Sequence, residues 1–397
     1  MASRVVEIDV ASSLLLIAAI AVAAIASLAV VRAPDWMIAW KLAILAGEFG
    51  HWLVLLPLLL GTGAVLATTG PWRAAILLPC AAAAVCLLRP VVSARRLAAT
   101  LPRQLTEAFG ARNLARPVFS GKRLVAGRAR RPARMTTAVV GAPDGSELKV
   151  DLYRPATPDS RGSLRPCVIV IHGGGWNGGD RKQLPEWNDW LVERGCVVAA
   201  ISYRLAPRWQ WPAQRDDVLE AIAWIKSHAP GYGIDPTRLI LFGRSAGGQI
   251  ASAVGYGARD PAIRGVIALY APHDMPFVWA VSRTDDVLNS RGLMRQFLGG
   301  PPDQGREANY DSASAQRLAQ SDSPPTLLIH GEPDTLSWVK HGERLSARLS
   351  ELGVPHFFLR LPWATHAFDF NPAGPGSQLS DYAMEWFLAS VTKDWSD

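Results

Sequence analysis

Apolar and polar positions follow two different rhythms along this chain, and the change falls near residue 134. Before it, long uncharged runs dominate. Val10 to Val31 is 22 residues without a charge, and as a helix rising 1.5 Å per residue it reaches about 33 Å, the depth of a bilayer core. Trp36 to Leu60 is apolar except for Lys41, Glu48 and His51, and Ala74 to Leu88 is uncharged between Arg73 and Arg89, whose long side chains reach the interface. The pattern predicts about three transmembrane helices, at 10–31, 36–60 and 72–92, in a membrane region 1–92. For the second, an alternative window from Trp52 to Thr69 leaves 36–48 on the membrane surface. A cleaved signal peptide has a shorter apolar core with no apolar sequence directly behind it, so the first run is read as an anchor.

From residue 136 the rhythm shortens. "TTAVV", "ELKVDLY", "PCVIVIH", "CVVAAISY", "RLILFG", "RGVIALY", "PTLLIH" and "HFFLRL" are apolar runs of strand length. Helix-like segments follow the later ones, at 186–194, 213–228, 245–257, 339–352 and 378–391. Two leading strands and then β–α alternation predict an α/β domain over 136–397, a mostly parallel eight-stranded sheet with helices on both faces. Residues 274–323, between the sixth and seventh strands, are the candidate lid. In such sheets the ligand crevice lies at the carboxyl ends of the strands.

Charge divides at the same place. Residues 1–134 hold 16 Lys+Arg against 5 Asp+Glu, a net of +11, which leaves 25 against 29, a net of −4, for the remainder. Twelve of the cations lie between Arg89 and Arg134, opposed only by Glu107. Residues 93–135 are therefore read as a basic linker. No recognised nucleic-acid reader module accompanies them, which argues against nucleic acid. Basic residues beside a span favour the cytoplasmic side and anionic lipid there, so three spans predict an outside N-terminus and a cytoplasmic catalytic domain, at the inner membrane if the cell is bacterial. Glu48 and His51, at i, i+3 within the second span, are functional candidates on that ground. Cys80, Cys86, Cys167 and Cys196 form no CxxC pair and no metal-ligand spacing.

The candidate chemistry falls at strand ends. "RLILFG" ends a strand, "RSAGG" turns, and "QIASAVG" begins a helix, so Gly243 to Gly247 is G-x-S-x-G in its strand–turn–helix context with Ser245 exposed at the turn. "HGGGW" at 172–176 follows another strand, and its glycines leave N–H groups free to face a developing negative charge. A serine needs a base, and the base needs an acid to orient it. His366, in "LPWATHAFDF" after the last strand, is the best-placed base, and Asp334 in "IHGEPDTL" is the acid, with Asp274 as the alternative and Glu332 behind it. Asp369 sits too near His366 in sequence and is read as capping or solvating the loop. Trp176, Trp209 and Trp338 are assigned to substrate binding, with Trp211 and Trp279 on nearby loops. All five tryptophans could equally pack the lid on the sheet.

Together "HGGGW", "SYRLAP" at 202–207, "GRSAGG", "GEPDTL" and "HAFD" resemble, in order and spacing, the α/β-hydrolase-fold carboxylesterases of the hormone-sensitive-lipase-like group, over residues 136 to 391. The resemblance implies an α/β-hydrolase fold, Ser245 as nucleophile, His366 as base and Asp334 as orienting acid. It implies an oxyanion hole from the amides of Gly173, Gly174, Gly175 and Ala246, and an Asp217 that supports the loop carrying Arg204. Many members have an acid where this chain has Arg244, and a second acid near Ser337 and Trp338. Membrane spans and the basic linker stand in place of the usual N-terminal cap. The expected activity is hydrolysis of a small-molecule ester with an apolar acyl or aryl group, beside membrane lipid and with neither metal nor organic cofactor. An amidase, formamidase or acyl transferase with the same triad is the alternative, followed by a non-catalytic binding protein. Oligomeric state stays open.

Overall fold

The computed structural model describes residues 10–142, 144–156 and 163–392. Residues 1–9 of the expected membrane region and 393–397 of the expected catalytic domain lie outside the described residues. Eight strands, β1 (Arg134–Gly141), β2 (Glu147–Arg154), β3 (Arg165–Ile171), β4 (Val197–Ile201), β5 (Ile234–Arg244), β6 (Ile263–Leu269), β7 (Thr326–Gly331) and β8 (His356–Leu361), form one sheet in the order β1-β2-β4-β3-β5-β6-β7-β8. β1 and β4 pair antiparallel with β2; all other pairs are parallel. Strands β3 to β7 are buried on both faces, which is why they read as continuous apolar runs.

The parallel crossovers put helices on each face. Before the sheet come α1 (Val10–Ser27), α2 (Met37–Glu48), α3 (Gly50–Ala67) and α4 (Gly70–Phe109). Within and after it come α5 (Pro185–Glu193), α6 (Ala213–Tyr232), α7 (Ala246–Gly257), α8 (Lys340–Glu351) and α9 (Pro375–Val391). Val218 of α6, Ile250 of α7 and Leu345 of α8 pack on one face with Ile169, Ala199 and Leu241. Trp187 and Trp190 of α5 and Leu379 and Phe387 of α9 pack on the other with Val168, Val198 and Phe242.

Three helices, α1, α3 and α4, are long and apolar enough to cross a membrane. They meet through small side chains: Ala19, Ala64 and Cys80 at one level, Ala26 and Ala83 at another, as membrane helices do when packing rather than water exclusion joins them. The expected span 36–60 is corrected. Its first part is α2, which ends at Glu48 and lies against the sheet domain through Trp40 and Glu48. The long apolar helix is Gly50–Ala67, interrupted only at Val54, where Pro57 cannot donate to the Leu53 carbonyl. The break at Phe49, between α2 and α3, takes Glu48 and His51 off one helical face.

The linker expected at 93–135 is corrected too. α4 runs unbroken for 40 residues to Phe109, about 60 Å. Its last turns bury Leu101 and Leu105 in the α5/α9 layer. Beyond it the cations bind protein: Arg116 pairs with Asp381 and Glu385, Arg123 with Asp381, and Arg130 with Asp189 at 2.6 Å. Arg128 lies over the rings of Trp187 and Trp190. Four of the twelve cations, Arg116, Arg123, Arg128 and Arg130, thus pair with acids more than fifty residues away. Arg89, Arg95 and Arg96 on α4 remain exposed.

Candidate active site

Ser245 stands between β5 and α7 with φ 53° and ψ −121°, a backbone conformation that costs a non-glycine residue free energy and lifts its side chain out of the turn. The flanking glycines are there for space. A Cβ on Gly243 would sit 2.1 Å from the Gly247 carbonyl, and one on Gly247 would sit 2.2 Å from that of Ile171. Ser245 N–H donates to Leu269 O at 2.9 Å, pinning the turn to the end of β6.

His366 follows β8, and its Nε2 lies 2.9 Å from Ser245 Oγ. Behind it, Nδ1 is 2.8 Å from Asp334 Oδ2, in the turn after β7. Asp334 Oδ1 accepts from the amides of Leu336 (2.8 Å) and Ser337 (2.9 Å). Burial opposes ionisation of Asp334, but the His366 and His330 imidazoles and their hydrogen bonds outweigh it and hold the carboxyl well below the usual carboxylate range. The other acids are engaged elsewhere: Asp274 pairs with Arg344 and caps the helix Met275–Val281, and Glu332 pairs with Arg360 at 3.1 Å.

The glycine loop lies beside the serine. Gly174 (φ 125°) and Gly175 (φ 59°) adopt conformations that disfavour side chains, and among the described residues their amides donate to no protein acceptor. Ala246 is the first residue of α7, where amides have no intrahelical partner. Gly173 differs from expectation, since its N–H donates to Gln183 Oε1 at 2.9 Å. That leaves three of the four expected donors free. The loop is held by Tyr203, whose ring stacks on His172 at 4.2 Å and whose hydroxyl donates to the His172 carbonyl. Asp217 receives Arg204 N–H at 2.7 Å and its guanidinium at 2.7 Å, bracing the adjacent loop.

Asp369 does not solvate its loop. It is fully buried, accepting from Arg244 Nε on one oxygen and from Tyr270 Oη at 2.6 Å on the other. Burial raises the Tyr270 pKa well above its ordinary value, so the phenol stays a donor. Because Arg244 precedes Ser245 and Asp369 follows His366 by three residues, this pair ties the serine turn to the histidine loop. Asp369→Asn strands the Arg244 charge in a dry site and is expected to cost about 3–5 kcal/mol of stability, read as a lowered thermal midpoint in detergent.

A cavity of about 650 Å³ opens over Ser245 and His366. Its walls are mostly apolar: Leu288, Leu293 and Met294 from the lid, Phe370 from the histidine loop, and Trp176 and Trp40. The segment expected as a lid, between β6 and β7, forms four short helices, Met275–Val281, Ser290–Leu298, Glu307–Ser312 and Ala315–Leu318. Among the expected substrate residues, Trp176 lines the cavity while anchored below it, its indole N–H on Gln249 (2.8 Å) and its ring stacked on Phe297. Trp209 and Trp338 are corrections. Trp209 turns away to hydrogen-bond Asp144 at 2.8 Å under Arg208, and Trp338 stacks with Phe277 outside the cavity. Trp211 packs against the 274–323 segment through Phe297 and Ser312, and Trp279 packs within that segment against Tyr310. Sequence reasoning missed Trp40, which had looked like one more apolar residue in a span.

A family model described as BD-FAE matches residues 150–349, half of the chain. The chain is similar to Esterase LipQ of Mycobacterium tuberculosis, 30% identical over 67% of this chain, and spans 65% of that protein's length. It is 29% identical over 71% of its length to the ethyl acetate hydrolase of Pseudomonas putida, of which it covers 89%. Among solved structures, esterase LipW from Mycobacterium marinum superposes with a TM-score of 0.54 at 24% identity, over 76% of this chain and 90% of that one, a likeness in fold.

Proposed function

The chain belongs to the BD-FAE family, and on that footing we propose that it is a membrane-anchored carboxylic ester hydrolase working through Ser245, His366 and Asp334. The observation that carries this reading is the 2.9 Å contact between Ser245 Oγ and His366 Nε2 at the floor of an apolar cavity, with Asp334 behind the imidazole. In the first half-reaction Ser245 Oγ attacks the ester carbonyl carbon while its proton passes to His366 Nε2. The carbonyl oxygen becomes an oxyanion facing the amides of Gly174, Gly175 and Ala246. Collapse expels the alcohol, which takes the proton from Nε2, and leaves an acyl-serine. Water then loses a proton to Nε2 and attacks the acyl carbon; collapse breaks the acyl–Oγ bond, Nε2 returns the proton to Ser245 Oγ, and the acid leaves. Throughout, the Asp334 carboxylate accepts from Nδ1–H, fixes the tautomer and stabilises the imidazolium.

The cavity walls favour an apolar acyl or aryl group. With α1, α3 and α4 as spans, the chain crosses three times, and α2 falls on the same side of the bilayer as the hydrolase domain, where it is seen docked. The exposed cations of α4 then mark that side as cytoplasmic. The test is hydrolysis of p-nitrophenyl esters from acetyl to palmitoyl by the detergent-solubilised chain. Turnover is expected, with kcat/KM rising beyond acetyl as the acyl chain fills the cavity. Loss of the reading would be a folded protein that turns over none of them.

A further inference from the structure

Resting on the esterase reading, we propose that helix α2 is a working part of the site: Trp40 is a positioning residue for the His366 loop and a wall of the ester cavity, and Glu48 is the latch that seats the helix. The loop from Trp363 to Gly376 carries the base, and α2 grips it along its length. At its start, Trp363 Nε1 donates to Glu48 Oε1 at 3.1 Å. In the middle, Trp40 Nε1 donates to the His366 carbonyl at 3.0 Å, and Asn371 Nδ2 donates to the Glu48 carbonyl at 2.8 Å. At its end, Gly376 N–H donates to Glu48 Oε2 at 3.0 Å.

The loop is shaped around that carboxyl group. Glu48 is buried, and a Cβ on Gly374 or Gly376 would come within 2.3 or 2.9 Å of its oxygens. Glycine at both places is what admits the group. His366 itself is followed by Ala367 at φ 61°, a conformation that surrounding contacts must maintain. The Trp40 bond to the His366 carbonyl is one of them. Its ring also faces the cavity, and the segment before α2 reaches the lid through Asp35 and Arg283 at 3.3 Å. The same twelve-residue helix thus touches base loop, cavity and, through its leading segment, lid.

Misplacing a reacting group by about 1 Å costs on the order of 10²-fold in rate, so loosening one tie should cost less. In the full-length chain, Trp40→Phe keeps the ring and deletes the donor. It is expected to lower kcat on p-nitrophenyl butyrate about 10-fold with KM within about twofold, and to slow inactivation by a fluorophosphonate in parallel, while the end-point still reaches one label per chain. Glu48→Gln can accept only one of the two N–H groups and turns its own donor on the other; the same pattern is expected. Both variants within twofold of wild type in kcat and inactivation rate would overturn the proposal and leave α2 a tether. A loss of kcat matched by an equal loss of labelled end-point would also overturn it, since fewer molecules would then be folded rather than each site being slower. Wild-type chain that takes no label and cleaves no ester would overturn the esterase reading, and this role with it.

Discussion

Ser245→Ala is expected to reduce kcat on any ester the chain hydrolyses by a factor on the order of 10⁴ or more and to abolish covalent labelling by a serine-directed phosphonate. Removing Oγ deletes the atom that lies 2.9 Å from His366 Nε2. Residual turnover would come from water held against the free amides of Gly174, Gly175 and Ala246. The variant should stay folded. The substitution removes one oxygen at a half-buried position, and the strained turn is dictated by Gly243 and Gly247 rather than by the hydroxyl. Equal turnover in mutant and wild type, from protein of unchanged thermal midpoint, would remove Ser245 from the mechanism.

Asp334→Asn should be nearly as damaging, about 10⁴-fold in kcat, although it changes no shape. The carboxylate now accepts from the Leu336 and Ser337 amides on one oxygen and faces His366 Nδ1 with the other. An asparagine must keep its carbonyl oxygen toward those amides, so its NH₂ points at Nδ1. That geometry favours the tautomer with the proton on Nε2, which cannot take one from Ser245. The measurement is kcat beside the rate of phosphonate labelling. Both should fall together with the fold intact, and labelling at the wild-type rate would show that Asp334 does not set the tautomer.

How far the sequence reaches can be judged residue by residue. Strands β3 to β7 were legible because strands buried on both faces must be apolar throughout. Ser245 and Asp334, chosen like His366 from strand ends and chain order, each lie within hydrogen-bonding distance of His366. What was not legible depends on partners far along the chain. Nothing near Asp369 announces Arg244, 125 positions earlier, and nothing near Glu48 announces Trp363 and Gly376, more than 300 positions later. An apolar helix that docks on protein has the same composition as one that docks in lipid, which is why α2 was absorbed into a span. Tryptophans mislead for a related reason: Trp211 fills a lid interface and Trp338 stacks on Phe277, and neither fate has a local signature.

The Arg244–Asp369 pair limits how this domain can be recombined with its relatives. Many enzymes of the group it resembles carry an acid at the position of Arg244. Grafting such a serine motif here would set two carboxylates against each other where no water reaches, and grafting only the histidine loop would orphan the arginine. The two segments work as a matched set, so chimeras should be recovered only when residues 244 and 369 come from the same parent.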